Sequence, residues 1–373
     1  MKIGIFLPNA TFDLPGSPEV GGIETFAFTV GEALQRLGHE VILFGGEPKP
    51  GKSHRATTMT LELHPYWETK SIPDIGTRFQ RLVQRIHFAW SIRHAWEARR
   101  CDLVLLAKPF DWPVAWWWKK ARRELKTFMS FQGTDFFAGD HLFYGAIDAA
   151  SAVGTITADL AEARVGRRPA LVPNPVNVDF FTPGEAESHA GDWHIVASGR
   201  LVGWKGFLNL IEAVARLRDQ HQIRARLSLA GDGPERSPLV QRILALHLTD
   251  QVTLCGLLDA PALRSILQTG DLYVQPSIGF ESFAISALEG ASVGLPLLLS
   301  DQVGVAGYLA EADHVVYPAR DVDALTAALK KLHDRRADRA WTDRAARHQR
   351  MRAQFSAERV AQQILDLVAK EGA

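Results

Sequence analysis

The fold of this chain can be predicted from one stretch, Gly279-Phe280-Glu281-Ser282-Phe283-Ala284-Ile285-Ser286-Ala287-Leu288-Glu289-Gly290-Ala291-Ser292-Val293-Gly294-Leu295-Pro296. From Phe283 to Val293 most residues are good helix formers, and a glycine and a proline end the run. Ser282 is the predicted N-cap, so the helix is expected to begin just after Glu281. Residues 295–299 form a short apolar run, typical of a buried parallel strand. The stretch therefore predicts a loop, a helix and a strand of a parallel α/β sheet.

Glu281 and Glu289 lie eight positions apart, on either side of the predicted helix start. Free N–H groups and the positive dipole end of the helix predict an anion site there, and Glu289 would lie roughly 10 Å further along. That is about the span from a diphosphate to a ribose. A carboxylate at that place can accept hydrogen bonds from both ribose hydroxyls. The alternative is that both acids are ordinary loop and helix charges. Apolar neighbours such as Phe280 and Leu288 favour the binding interpretation, because acids in such surroundings need partners.

The stretch resembles the E-x7-E segment of family 4 of the retaining glycosyltransferases, which are enzymes of the GT-B fold. Four further segments match that family in the same order: residues 1–8 with 21–24, 172–183, 198–206 and 230–234. Five matches in order are more specific than any one alone. The resemblance implies two Rossmann-like domains that face a cleft, and a nucleoside diphosphate sugar as the donor.

Short apolar runs alternate with helical patterns along the whole chain, which predicts parallel sheets with helices on both faces. Six strands are expected in each half, at 2–7, 40–44, 103–106, 127–131, 152–156 and 170–172, then at 194–198, 226–230, 252–255, 272–275, 295–299 and 314–317. The predicted fold class is α/β, with two doubly wound domains. We expect an acceptor-binding domain at 1–175 and a nucleotide-sugar-binding domain at 176–354, joined by a proline-bearing connector. By the resemblance, a C-terminal helix within 355–373 returns to the first domain.

Arg200 and Lys205 follow a predicted strand, and Gly199, Gly203 and Gly206 keep the backbone between them open. Both cations can then reach an anion, which offers a metal-free way to neutralise a diphosphate leaving group. An Arg and a Lys at this spacing are commonly plain surface charges. The match to the family segment favours the phosphate role.

The resemblance implies a role for each candidate residue of the donor site. The diphosphate is held by Arg200 and Lys205, the hexose by Glu281, the ribose by Glu289, and the distal phosphate by the amides of Phe283 and Ala284. Gly21 and Gly22 open a predicted helix, and they either cap it or line the donor phosphates with their amides.

Gln132 marks a departure from the family pattern, since many members have a histidine at that place. Glutamine cannot act as a base, but it can donate a hydrogen bond to the sugar or the acceptor. In the family the leaving phosphate is usually described as taking the acceptor proton, so a protein base is not required. Asp135 is the second candidate for contacting the acceptor hydroxyl; the alternative is that it caps the turn into residues 136–137.

Metal and cofactor motifs are scarce in the sequence. Its single Asp-x-Asp pair, Asp321 and Asp323, precedes a helical run, where an N-cap and a first-turn acid explain both residues. We predict no metal and no cofactor, since the nucleotide sugar is a substrate. No G-x-G-x-x-G follows the first strand, which argues against a nicotinamide-dependent dehydrogenase.

Composition excludes several classes of protein. The chain has 373 residues, 46% of them hydrophobic and 23% charged, which suits two soluble domains. A formal net charge of zero argues against a dedicated nucleic-acid binder. Two cysteines are too few for a disulfide framework, and neither a secretory leader nor an apolar span of membrane length is apparent, so we expect a cytoplasmic protein.

Charge is uneven along the chain. Between residues 78 and 126 twelve Lys or Arg accompany four Asp or Glu. A helical stripe in this segment is apolar and is flanked by arginines; it consists of Phe79, Leu82, Val83, Ile86 and Trp90. Such a helix can lie on an anionic membrane, with a second patch at tryptophans 112 and 116–118, or it can pack into the core with a solvated basic face. A membrane-facing patch would indicate a lipid-linked acceptor.

The sequence thus predicts a metal-independent, retaining transferase that moves a hexose from a nucleoside diphosphate sugar, UDP before GDP, to a glycan, lipid-linked or small-molecule acceptor. It is expected in the cytoplasm, with possible peripheral contact to the inner face of the cell membrane. Two alternatives remain: a nucleotide-sugar epimerase, and a non-catalytic member that binds a nucleotide or a partner chain.

Overall fold

Leucine-, valine- and alanine-rich segments form two parallel sheets in the computed structural model, which describes residues 1–8, 22–48, 57–66, 76–133, 135–184 and 193–370. The chain divides into two compact units. The first contains the described residues up to Pro175 together with those from Ala357 onward, and the second contains those from Val176 to Ser356. The predicted α/β class with two Rossmann-like domains is confirmed.

The first unit is built on a seven-stranded sheet, with all its strands parallel and in the order β3-β2-β1-β4-β5-β6-β7. The strands are β1 (Lys2–Leu7), β2 (Glu40–Gly46), β3 (Thr60–His64), β4 (Leu103–Leu106), β5 (Lys126–Phe131), β6 (Ala149–Ala152) and β7 (Ala170–Leu171). Its helices are α1 (Gly22–Arg36), α2 (Thr77–Ser91), α3 (Arg93–Arg99), α4 (Trp112–Ala121), α5 (Thr155–Val165) and α13 (Ala357–Lys370). Short 3-10 turns lie at Pro109–Asp111 and Asp140–Ala146.

Two strands of this sheet differ from the prediction. The sequence analysis missed β3, because Thr60–His64 is an edge strand with half-exposed side chains and therefore lacks an apolar run. The strand expected at 152–156 lies at Ala149–Ala152, since α5 already begins at Thr155. The residues of β6 are alanines and one serine, so the strand lacks the large β-branched or aromatic side chains that usually mark a strand in a sequence.

The second unit is built on a six-stranded parallel sheet in the order β10-β9-β8-β11-β12-β13. The strands are β8 (Trp193–Ser198), β9 (Ala225–Ala230), β10 (Val252–Gly256), β11 (Leu272–Gln275), β12 (Leu297–Ser300) and β13 (His314–Tyr317). The helices are α6 (Phe207–His221), α7 (Arg236–Ala245), α8 (Ala260–Gln268), α9 (Ile285–Ser292), α10 (Val322–Asp334), α11 (Arg339–Thr342) and α12 (Arg344–Phe355), with 3-10 turns at Gly203–Lys205 and Gly304–Tyr308. The strand order reverses between β8 and β11, which is where ligands of open α/β sheets bind.

The C-terminal helix α13 completes the core of the first unit, as the resemblance implied. Val360 and Ile364 are fully buried and Val368 nearly so, on one face of the helix. They join the hydrophobic cluster formed by β1 and α1. None of the helices in the described ranges combines the length and the apolar character that crossing a bilayer demands.

Truncation of a buried side chain in α13 should destabilise the first unit. Ile364→Ala removes apolar contacts and leaves a cavity, so we expect the free energy of unfolding to fall by about 2 to 4 kcal/mol. Urea denaturation of the full chain measures this, and Gln362→Ala on the exposed face of the same helix is the control. Equal losses in the two variants would contradict the structural role given to α13.

Candidate active site

The candidate site lies at the carboxyl edge of the second sheet, where the loops that follow β8 and β11 come together. The loop after β8 carries Lys205 in the 3-10 turn Gly203–Lys205. It can approach the next loop because Gly206 has a φ of 71° and no side chain: a Cβ there would lie 2.0 Å from the carbonyl oxygen of Pro276. The amides of Ile278 and Gly279 both donate to the carbonyl oxygen of Trp204. The two loops are thus joined by their backbones.

Lys205 and Glu281 form an ion pair across these loops, with the ammonium donating to Oε2 of the carboxylate. Only 11% of the Lys205 side chain and 13% of the Glu281 side chain are exposed. An ammonium has three N–H donors, so Lys205 can hold this carboxylate and a phosphate oxygen together. The structure therefore brings together Lys205, one of the two residues predicted for the diphosphate, and Glu281, predicted for the hexose.

A chain of buried polar side chains stands behind Glu281, and the sequence analysis missed it. Ser277 Oγ donates to Glu281 Oε2 at 3.4 Å, and Gln275 Nε2 donates to Ser277 Oγ at 3.0 Å. The Gln275 amide oxygen accepts from the hydroxyls of Tyr273 and Ser286, each at 3.1 Å. Buried polar groups need such partners, and here they orient the acid. The available signal was the polar end of an apolar strand, Leu272-Tyr273-Val274-Gln275.

Helix α9 begins later than predicted. Its first residue is Ile285 rather than the residue after Glu281, and Ser282 is not the N-cap. The cause lies in the loop after β12: Glu281 N–H donates to the carbonyl oxygen of Gln302 at 3.0 Å, and Gly304 N–H donates to that of Glu281 at 2.9 Å. These bonds form a parallel bridge between Glu281 and Val303, so the backbone at 281 cannot enter the helix.

Ala284 occupies the capping position instead, with a left-handed φ of 74°. This conformation is unfavourable for a non-glycine residue, and such strain concentrates at functional sites. Within the part of the chain that the structure describes, the N–H groups of Phe283 and Ala284 have no hydrogen-bond acceptor. They lie at the positive end of α9 and are available to an anion.

Glu289 lies inside α9, and its carboxylate has no hydrogen-bond donor among the described residues. Burial raises the pKa of Glu289 to about 7, because the surrounding protein disfavours the charged form. The residue is partly exposed, so its carboxylate can be reached by a ligand while the surrounding protein limits its hydration. The side chain is therefore suited to a ligand that brings hydroxyl donors.

Arg200 is exposed, and across the described ranges its side chain has no bonding partner. Asp321 and Asp323 behave as expected of a helix start: Asp321 accepts from Ala324 N–H at 2.8 Å, and Asp323 pairs with Arg216. Where the structure describes the chain, no three side chains of His, Cys, Asp or Glu come together as metal ligands. Metal independence stays a prediction.

Gln132 and Asp135 follow β5 in the first unit. Gln132 is buried and donates through Nε2 to Ser130 Oγ at 2.8 Å. Asp135 lies 3.8 Å from both Arg81 and Lys108. The adjacent turn is capped by another acid, because Phe137 N–H donates to Asp140, which the sequence analysis did not select.

Gly22 is the first residue of α1, whereas Gly21 lies outside the described residues.

Comparison with known proteins covers most of the chain. The model for Glycosyltransferase Family 4 matches residues 20–180, and that for Glycosyl transferases group 1 matches residues 182–349. A phosphatidylinositol N-acetylglucosaminyltransferase subunit from Arabidopsis thaliana is 25% identical over 326 residues, which are 84% of this chain and 71% of the relative. Phosphatidyl-myo-inositol mannosyltransferase of Propionibacterium freudenreichii is 25% identical over 371 residues, which cover 91% of this chain and 89% of the relative.

Solved structures share the fold. HepE of Anabaena, crystallised with UDP, superposes with a TM-score of 0.74 at 14% identity, covering 99% of this chain and all of that one. The two family models follow one another along the chain, and the sheets observed here are those of the GT-B fold. This chain belongs to the family 4 glycosyltransferases.

Proposed function

We propose that the chain transfers a hexose, with retention, from a nucleoside diphosphate sugar to an acceptor hydroxyl. The observation that carries the proposal is the carboxylate of Glu289, which has no partner among the described residues and lies in the helix that follows the Lys205–Glu281 ion pair. Its demand for donors is met by the two hydroxyls of a ribose. The backbone N–H groups of Phe283 and Ala284, which have no acceptor among the described residues, can donate to the phosphate that lies between the hexose and the ribose.

The proposed chemistry needs charge stabilisation more than a protein base. The bond from the anomeric carbon to the phosphate oxygen breaks, the acceptor oxygen bonds to that carbon on the same face, and its proton passes to the leaving phosphate. Arg200 and Lys205 stabilise the negative charge that develops on the diphosphate. Glu281 accepts from the hexose hydroxyls while Lys205 holds it in place. The two cations take the part that a metal plays in other transferases, so we propose a metal-independent reaction.

Relatives support a choice of substrates. We propose UDP as the nucleotide, because the Anabaena structure was solved with UDP; a GDP-sugar is the second candidate. The names of both relatives described above refer to phosphatidylinositol, which supports a lipid-linked acceptor over a free glycan or a small molecule. A lipid-linked acceptor would require peripheral contact with a membrane. In the first unit we propose that Gln132 and Asp135 contact the acceptor.

Nucleotide binding should depend on Lys205 and not on metal. In a thermal-shift panel of UDP, GDP, ADP, dTDP and NAD, one diphosphate should raise the Tm of the full chain without added Mg²⁺. Lys205→Ala should abolish that shift, because it removes the phosphate contact. Lys331→Ala, an exposed lysine on α10, is the matched control and should retain it. A shift that needs Mg²⁺, or one that persists in Lys205→Ala, would contradict the assignment.

Turnover should fall when either cation is removed. We expect Arg200→Ala and Lys205→Ala each to lower kcat by roughly one to two orders of magnitude, because each removes one charge-assisted hydrogen bond from the transition state. Release of UDP from a UDP-sugar in the presence of acceptor measures this, with Lys331→Ala again as the control. Undiminished kcat in both variants would place the diphosphate elsewhere, and a new sugar isomer formed without acceptor would indicate an epimerase.

Nucleotide affinity should fall as the pH drops through 7. Ribose hydroxyls donate to the ionised form of Glu289, whose pKa is about 7, so binding favours deprotonation. From pH 8 to pH 6 the ionised fraction falls from about 90% to about 10%, and Kd should rise about tenfold. Calorimetric titration measures this, and Glu289→Gln, which does not titrate, retains only the nucleotide's own pH dependence. The same slope in both proteins would exclude Glu289 from the ribose site.

A further inference from the structure

Helix α2 exposes a row of large apolar side chains. Phe79, Ile86 and Trp90 are 45%, 42% and 55% exposed, and their spacing places them on one face of the helix. Leu82 and Val83 lie on the same face and are partly exposed. These five residues are called the α2 stripe. The helix packs against the core by a different side, so the stripe stays exposed.

The inward side of α2 is firmly held. Phe88 and Ala89 on this side are fully buried in a hydrophobic cluster, and two polar side chains are buried beside them. Gln84 and Arg85 are only 4% and 2% exposed. Arg85 forms a buried ion pair with Asp111, and Tyr66 donates its hydroxyl to Gln84 Oε1 at 3.2 Å. Rotating the helix to bury the stripe would break this pair and leave Asp111 charged in the core, which is strongly unfavourable. The outward orientation is therefore a stable property of the unit.

Cations accompany the exposed tryptophans. The Arg93 guanidinium lies 4.1 Å from the ring centroid of Trp90, and the Lys120 ammonium lies 3.8 Å from that of Trp116. Trp116 is 40% exposed on α4, which packs beside α2. Neither Arg93 nor Lys120 has an acidic partner among residues that the structure describes. Each pair combines an apolar ring with a charge that can extend to a polar boundary.

Much of the positive charge between residues 78 and 126 is paired, but not the three cations beside the exposed side chains. Acids outside this segment pair with four of its twelve Lys or Arg: Asp135 with Arg81 and Lys108, Glu62 with Arg99, and Asp148 with Lys119. Asp111 is buried with Arg85, Glu124 pairs with Arg122 at 3.0 Å, Asp102 accepts from Lys2 N–H at 2.8 Å, and Glu97 lies 4.0 Å from His94. Arg78, at the start of the stripe, is exposed and has no described partner.

We propose that the α2 stripe, together with Trp116, docks on an anionic lipid bilayer. The apolar side chains would enter the boundary between headgroups and acyl chains, while Arg78, Arg93 and Lys120 bind the anionic headgroups. Charge selects this occupant over a second copy of the chain. A two-fold contact through the stripe would bring the same three cations of both copies together, and like charges oppose such an interface.

Vesicle flotation of the full chain tests this surface without any donor or acceptor. We expect binding to vesicles of phosphatidylglycerol and phosphatidylcholine, little binding to phosphatidylcholine alone, and release at high salt. Ile86→Gln with Trp90→Ala should weaken vesicle affinity by at least about tenfold. Arg93→Gln and Lys120→Gln should each weaken it by about fivefold. Leu244→Gln, which alters a 58% exposed leucine on α7, is the control and should bind as the unaltered chain does.

The outcome does not depend on the proposed transferase activity, because the nucleotide-induced rise in Tm reports on the second unit separately. The stripe variants should keep that rise and an unaltered Tm, which shows that they fold. Equal affinity for neutral and anionic vesicles, or undiminished affinity in the Ile86/Trp90 variant, would overturn the proposal. So would a concentration-dependent dimer in size-exclusion chromatography that the same variant abolishes, since the stripe would then be an interface between copies.

Discussion

The ion pair between Lys205 and Glu281 is the constraint on which the rest of the candidate site depends. It joins the loops that flank the reversal of strand order in the second sheet, and those loops can meet because Gly206 has no side chain. Two nearly buried charges lose hydration, which their attraction must offset, and removing either partner leaves the other uncompensated. The pair therefore fixes both loops in one arrangement. Two further sets of hydrogen bonds hold Glu281: the polar chain through Ser277 orients its carboxylate, and bonds to the loop after β12 keep its backbone out of α9.

Much of the fold could be predicted because buried parallel strands are short apolar runs that end at glycine or polar residues. Prediction failed where that signal is weak. Thr60–His64 is an exposed edge strand, and Ala149–Ala152 is made of small residues. The start of α9 failed for another reason: Ser282 has the side chain of an N-cap, but hydrogen bonds from a loop about twenty residues later hold the backbone at Glu281 out of the helix. Local propensity cannot register such a contact.

The charged members of the site were found because a family pattern marks them, whereas their supports were not. Gln275 and Ser277 are common residues with no characteristic spacing, and their importance appears only when burial and hydrogen bonds are known. The α2 stripe shows a similar limit. A period of 3.6 residues shows which side chains share a face, but not whether that face meets the core. Here another side of α2 meets the core, through the buried Phe88 and through the ion pair of Arg85 with Asp111.

The two acids of the E-x7-E segment differ in whether the residues that the structure describes supply a hydrogen-bond donor to them, and this difference affects how a donor sugar would be bound. Glu281 already accepts from Lys205 and Ser277 at Oε2, which leaves Oε1 to accept from a hexose hydroxyl. Glu289 has no described partner, and burial raises its pKa to about 7, so hydrogen bonds from ribose hydroxyls would stabilise its ionised form. On the proposed assignment the nucleoside end of the donor therefore supplies net binding free energy. At the hexose end, Lys205 is already bonded to Glu281 before the donor binds. Its contact with the diphosphate can strengthen in the transition state, as negative charge develops on the leaving phosphate.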